Sequence, residues 1–201
     1  MEKLIEIFKN RNIVLIPVGT KEEACAKILG LIPEGSSIGY CGSQTLDQIG
    51  VLDEIRNSNY KFYDRSKVVK YTKESYELGH KAQHADFFLS GTNAITRDGK
   101  IVNKDRTGNR VSSLIYGPDH VVIVVGKNKI TDNLESALER ISNIAAPLNA
   151  KRMGINTPCA VTGKCTDCNS PERICCNTVI IERQFKKDRM ILIVVDEDLG
   201  F

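Results

Sequence analysis

Residues 121–125 read Val-Val-Ile-Val-Val, and this run constrains the fold more than any other stretch of the chain. Side chains alternate between the two faces of a strand, so five consecutive β-branched apolar residues make both faces apolar. Such a strand needs cover on both sides, as in the interior of a parallel sheet layered between helices. Residues 190–195, Met-Ile-Leu-Ile-Val-Val, repeat the pattern.

The rest of the chain alternates between helical and strand periodicity. Residues 2–9 place Leu4, Ile5 and Phe8 on one helical face, and residues 12–18 form an apolar run of strand length. Thr20 with Glu23 three positions on predicts a capped helix ending near Gly30 and Pro33. Residues 36–40 read as a strand, Gly42 and Ser43 as a tight turn, 45–55 as a helix, 60–63 as a strand, 72–83 as a helix and 86–90 as a strand. Residues 131–145 predict a helix capped by Thr131 and stopped by Pro147, and 178–183 and 190–195 predict the last strands. Strands alternating with helices imply one α/β domain over residues 1–201, an open, mostly parallel sheet with flanking helices. In such a sheet ligands sit at the carboxyl ends of strands, which points to the loops after Tyr40, Ser90 and Val125.

Composition excludes several classes. The net charge of +3, with no basic run interleaved with aromatics, argues against a nucleic-acid partner. No apolar stretch approaches the roughly 20 residues needed to cross a bilayer.

Five of the seven cysteines fall in the pattern Cys159-x5-Cys165-x2-Cys168-x6-Cys175-Cys176, with no histidine among them. Closely spaced thiolates repel one another and oxidise, so the segment 157–177 makes most physical sense as a soft-metal site. A disulfide framework belongs to small secreted chains, and the start of this chain lacks the pattern of a secretion signal, so a reducing cytoplasm is the expected home. The uneven spacing favours an iron-sulfur cluster, [4Fe-4S], held by Cys159, Cys165, Cys168 and Cys175. Cys176, adjacent to a ligand, packs or substitutes. Zinc remains an alternative, as do unliganded thiols or disulfides.

The polar stretch 90–110 is the other chemically rich region. Asp98-Gly99 between two apolar pairs predicts a hairpin with a type I′ turn. Gly91-Thr92-Asn93 after a strand, and Thr107-Gly108-Asn109-Arg110 before a helix, offer amides and short polar side chains to an anion, with Arg110 as a bidentate donor. Gly42, Ser43 and Thr45 form a similar strand-turn-helix junction, where helix capping is the competing role. Asp98 and Asp105 are the acid-base candidates, with turn formation as their alternative. His80 and His84 read as surface residues at a helix end, and His120 as a packing residue opening a buried strand.

The segments Gly39-Tyr40-Cys41-Gly42-Ser43-Gln44-Thr45-Leu46, 91–99 and 103–110, together with Thr157-Pro158-Cys159-x3-Gly163-x-Cys165-x2-Cys168, resemble the LUD (lactate utilisation domain) family, in its short form with a cysteine-rich segment. The resemblance implies the open α/β fold shared with ribose-5-phosphate isomerase and CoA transferases. It places Gly42, Ser43 and Thr45 on one wall of a ligand site and Gly91, Thr92, Asn93 and Asp98 on the other. It further implies a role in lactate or related organic-acid metabolism, a small anionic metabolite as ligand, iron-sulfur redox proteins as partners, and leaves a homo-oligomer open. A non-catalytic redox or metabolite sensor, and a phosphosugar isomerase or CoA transferase-like enzyme, are the alternative functions. Cys41 departs from the family pattern, which has a small residue there.

Overall fold

The computed structural model describes residues 1–201. In chain order the elements are α1 (Glu2–Lys9), β1 (Ile13–Val18), α2 (Lys21–Leu31), β2 (Ser37–Tyr40), α3 (Gln44–Gln48), α4 (Val51–Arg56), β3 (Lys61–Asp64), α5 (Lys73–Gln83), β4 (Phe87–Gly91), β5 (Ala94–Thr96) and β6 (Ile101–Asp105). They continue with α6 (Asn109–Tyr116), β7 (His120–Gly126), β8 (Ile130–Thr131), α7 (Leu134–Arg140), α8 (Ala146–Arg152), α9 (Pro158–Thr162), β9 (Asn177–Ile181) and β10 (Met190–Val195).

Six strands form one parallel sheet in the order β1-β10-β7-β4-β2-β3. The Val-Val-Ile-Val-Val run lies inside it, flanked by β10 and β4, as its two apolar faces require. Val122 and Val124 join one buried apolar layer with Ile193, Val195 and Leu89. Val121, Ile123 and Val125 join the opposite layer with Leu192, Val194 and Phe88. The fold is thus an open parallel sheet with flanking helices.

A second sheet, β8-β5-β6-β9, is built on the hairpin expected at Asp98-Gly99, but its outer pairings were not foreseen from the sequence. Its central pair is the antiparallel hairpin β5/β6, with β9 antiparallel on β6 and β8 parallel to β5. Ala94 and Val102 of this sheet pack on Ala137 and Ile141.

Several local expectations need correction. The helix expected over 45–55 is two helices, because Gly50 takes φ +76° between them. At the hairpin Gly99 takes φ +89° while Asp98 does not enter the left-handed region, so the loop is not the type I′ turn that needs both. Instead the Thr96 and Lys100 backbones bond across a longer connection. Thr131 belongs to β8, and Asn133 caps α7 in a reciprocal bond with Ser136. Pro147 does not end the helix. Residues 141–145 widen into a π turn, and that turn accommodates Pro147, which has no N–H to donate, as the helix continues into α8. His120 opens β7 and packs on Phe87 as expected, its ring stacked at 4.7 Å, but it is exposed.

Gly39 fixes how closely α5 sits on β2, since a Cβ there would lie 2.3 Å from the Ala82 carbonyl oxygen. Backbone cannot yield as a side-chain tip can, so Gly39→Ala is expected to destabilise the protein by about 3 kcal/mol, at the upper end of overpacking costs. Urea unfolding monitored by circular dichroism checks this, and an unchanged midpoint would contradict it.

Candidate functional site

A cavity of about 400 Å³ opens at the carboxyl ends of the parallel strands, between the loops that follow β2, β3, β4, β6 and β7. Gly42 turns the chain after β2 with φ +101°. Ser43 then caps α3, its hydroxyl accepting from Leu46 N–H at 3.3 Å. The Tyr40 hydroxyl, buried beneath, accepts from Ser43 N–H at 2.7 Å and donates to Asp47. Burial, reinforced by Asp47, pushes the ionisation of Tyr40 well above the usual phenol range. On the opposite wall, a Cβ at Gly91 would stand 2.7 Å from Ser43 Oγ. A side chain at position 91 would displace the Ser43 hydroxyl from its place at the cap of α3.

Asp105 and Arg110 form a shielded ion pair at 3.1 Å, their side chains 9% and 15% exposed. Arg110 also donates to Asn103 Oδ1 at 2.6 Å, Asn93 Oδ1 at 3.2 Å and the carbonyls of Gly91 and Lys104. Asp105 accepts from the Gly108 amide at 3.1 Å, which opens α6 with φ +84°. Thr92 donates to Asn103 Oδ1, and Asn93 N–H to the same oxygen.

Of the residues expected from the sequence, Gly42, Ser43, Thr45, Gly91, Thr92, Asn93, Asp105, Asn109 and Arg110 line the cavity. Asp98 and Gly108 do not. Asp98 sits on the β5/β6 turn, bonded to Thr96 and Lys100. Burial pushes its carboxyl up, but those two donors outweigh it and hold the carboxyl below the ordinary range. The acid-base candidate that reaches the cavity is Asp105.

Sequence reasoning missed most of the cations. Arg65, Lys70, Lys104, Arg106, Lys129 and Arg152 line the cavity beside Arg110, against the two acids Asp47 and Asp105. Arg106 lies over the Tyr71 ring at 4.7 Å and donates to its hydroxyl at 2.9 Å. Lys129 is the deepest of them, 4% exposed, its Nζ donating to Thr45 Oγ1 at 2.7 Å. It makes no ion pair. Burial first, then the neighbouring Arg140 and Arg110 charges, bring its pKa down to about 7. Its loop follows the strand 121–125, where the strand-end rule already points, but nothing in Lys127-Asn128-Lys129 marks which lysine turns inward. Cys41 also lines the cavity, and burial pushes its thiol up despite hydrogen bonds with Asn109 and Arg65.

All seven cysteines are free thiols. Cys159, Cys165, Cys168 and Cys175 are half-buried, whereas Cys176 is exposed. Burial raises the Cys175 thiol, Lys104 lowers it, and Cys165 and Cys159 raise it again. Ile174 is a wall of the cavity, and the Cys176 amide bonds the Asp105 carbonyl at 3.0 Å, so the segment is tied to the site's edge. As a donor set, four thiols without histidine suit a soft metal. As placed, no three ligating side chains come together around one point. The fit is one of donor chemistry alone.

The family model described as the LUD domain matches residues 1–195. The chain belongs to the LUD domain family. This LUD domain is similar to the crystal structure of a DUF162 family protein from Deinococcus radiodurans, with 14% identity over 96% of this chain and 94% of that one and a TM-score of 0.56. It also matches ribose 5-phosphate isomerase A from Methanocaldococcus jannaschii, at 14% identity over 67% of this chain and 66% of that one, with a TM-score of 0.36. Ribose 5-phosphate isomerase A from Neisseria gonorrhoeae gives 17% identity, 61% and 62% coverage and a TM-score of 0.35. No curated protein matches the chain. No helix is long and apolar enough to cross a membrane.

The depressed pKa of Lys129 makes stability depend on pH. Between about 7 in the folded chain and 10.5 unfolded, the unfolded state holds the extra proton, so stability rises with pH across that window and the penalty is greatest below it. Relative to Lys129→Met, the wild-type unfolding free energy should gain about 2 kcal/mol from pH 7 to pH 9. Parallel pH profiles of the two proteins would reveal an ordinary, solvated lysine.

Proposed function

We propose that this LUD-family protein binds a small anionic metabolite of lactate or related organic-acid metabolism in the strand-end cavity. One observation carries the reading. With Arg110 and Asp105 paired off, six basic side chains face Asp47 alone across the cavity. A cluster of like charge in a concave, partly desolvated site is stabilised by a ligand of opposite sign. Lys70 and Arg106 at the rim leave donors free for carboxylate or phosphate oxygens. Inorganic phosphate and L-lactate should therefore bind, and binding should weaken as salt is raised. Arg106→Ala removes one charge-assisted contact and is expected to lower affinity about tenfold by calorimetry. Affinity indifferent to both salt and this substitution would refute the assignment.

We further infer that the segment 157–177 holds a thiolate-ligated centre, an iron-sulfur cluster with zinc as the alternative, in a reducing cytoplasmic setting. Support comes from the division between four half-buried cysteines and exposed Cys176, and from the absence of disulfides. Anaerobic reconstitution with iron and sulfide should give a coloured protein. Cys175→Ser should lose the chromophore while Cys176→Ser retains it; equal behaviour of the two variants would remove Cys175 from the ligand set.

A further inference from the structure

Lys129 has the surroundings of a reactive amine more than those of an electrostatic anchor. It lines the cavity yet is 4% exposed, and the Gly200 backbone lies so near that a Cβ there would stand 2.8 Å from Nζ. Its one hydrogen bond goes to the Thr45 hydroxyl at 2.7 Å, and Thr45 is itself buried. An ammonium has three donors, so two are left without a protein acceptor. The charged groups acting on it are Arg140 from α7 and Arg110 from α6, both cationic. No carboxylate pairs with it.

We propose that Lys129 forms a Schiff base with a small carbonyl compound that carries an anionic group, a carboxylate or a phosphate. The inference rests on the anion-binding reading, which supplies the cations that would hold the charged end of the substrate. The neutral amine's lone pair forms a bond to the carbonyl carbon as the C=O π pair moves to oxygen. The two N–H protons pass to that oxygen, with the Thr45 hydroxyl placed to relay them, and the C–O bond breaks to release one water. The product is an imine between Nζ and the former carbonyl carbon, and nothing is oxidised or reduced. The same desolvation and cationic neighbours that leave the amine partly unprotonated near neutral pH are the recognised means of activating a lysine nucleophile.

Borohydride trapping tests this directly. The full-length protein is incubated with pyruvate in one arm and dihydroxyacetone phosphate in the other, reduced, digested and mapped by mass spectrometry. The expected result is one stable adduct per chain on Lys129 in at least one arm, formed half-maximally near pH 7, and lost in Lys129→Arg and Lys129→Met. The arm that reacts identifies carboxylate or phosphate as the anionic group. Thr45→Ser, which keeps the hydroxyl, should retain trapping, while Thr45→Val should slow it at least tenfold. Absence of an adduct at Lys129 in both arms, or adducts spread over surface lysines and unchanged in Lys129→Arg, overturns the proposal. Calorimetry with phosphate and L-lactate, neither of which has a reactive carbonyl, is run alongside. Anion binding without trapping refutes the Schiff base and leaves the anion site standing; trapping without anion binding does the reverse.

Discussion

The guanidinium of Arg110 holds the two sheets of this protein together at the point where they matter for ligand access. Its donors go to the Asp105 carboxylate, to the side-chain oxygens of Asn103 and Asn93, and to the carbonyls of Gly91 and Lys104. Gly91 ends β4 in the six-stranded sheet, whereas Asn103, Lys104 and Asp105 end β6 in the smaller one. Removing one partner of such a shielded pair typically costs about 3–5 kcal/mol, because the other charge stays buried without compensation. The consequence for function runs against the simplest reading of the sequence. Arg110 looks like a ligand clamp, yet its hydrogen-bonding capacity is spent on the fold, so it shapes the wall and leaves charge recognition to Lys104, Lys70 and Arg106.

The parallel sheet supplies the other half of the geometry. Because β2, β3, β4 and β7 run the same way, their carboxyl ends emerge on one edge and their loops converge there. The apolar layers on both faces of β7 and β10 fix that edge in place. Polar residues appear where the strands end: Ser90 and Thr92 are buried, the Ser90 hydroxyl donating to the Gly91 carbonyl and the Thr92 hydroxyl to Asn103 Oδ1. The change from apolar strand to polar loop thus marks the boundary between core and site.

The residues that made the large sheet legible were those whose environment is set locally. Val121 to Val125 could only be a covered strand, and Gly42 and Gly91 marked the bends that do converge, Gly91 coming within contact of Ser43. What stayed hidden depends on contacts distant in sequence. Pairing of β6 with β9 joins residues 101–105 to 177–181, and no periodicity in either segment names its partner. Lys129 lies 84 positions from Thr45, so its burial was invisible beside Lys127, which is exposed. Asp98 misled for the opposite reason, since turn chemistry accounts for it fully once Thr96 and Lys100 are seen beside it. The helix over 131–145 failed at both ends because β8 claimed Thr131 and a π turn made room for Pro147.

Three buried cations in this protein lack a carboxylate partner, and comparing them separates structure from chemistry. Arg189 donates to the carbonyls of Pro118, Leu114 and Ser113 and to Gln184 Oε1. Arg140 donates to the carbonyls of Asn128 and Asn93. Both guanidiniums replace lost water with backbone dipoles and cannot shed their proton under ordinary conditions, so they serve as ties between loops. Lys129 has only one hydroxyl, and Arg140 and Arg110 add repulsion. A methionine of similar length would fill the same space without the cost of burying the charge beside Arg140 and Arg110, which by the depressed pKa is on the order of 5 kcal/mol for desolvation and repulsion together. An amine held at that cost at the base of a cationic cavity is accounted for when its lone pair, and not its charge, is the group the site presents.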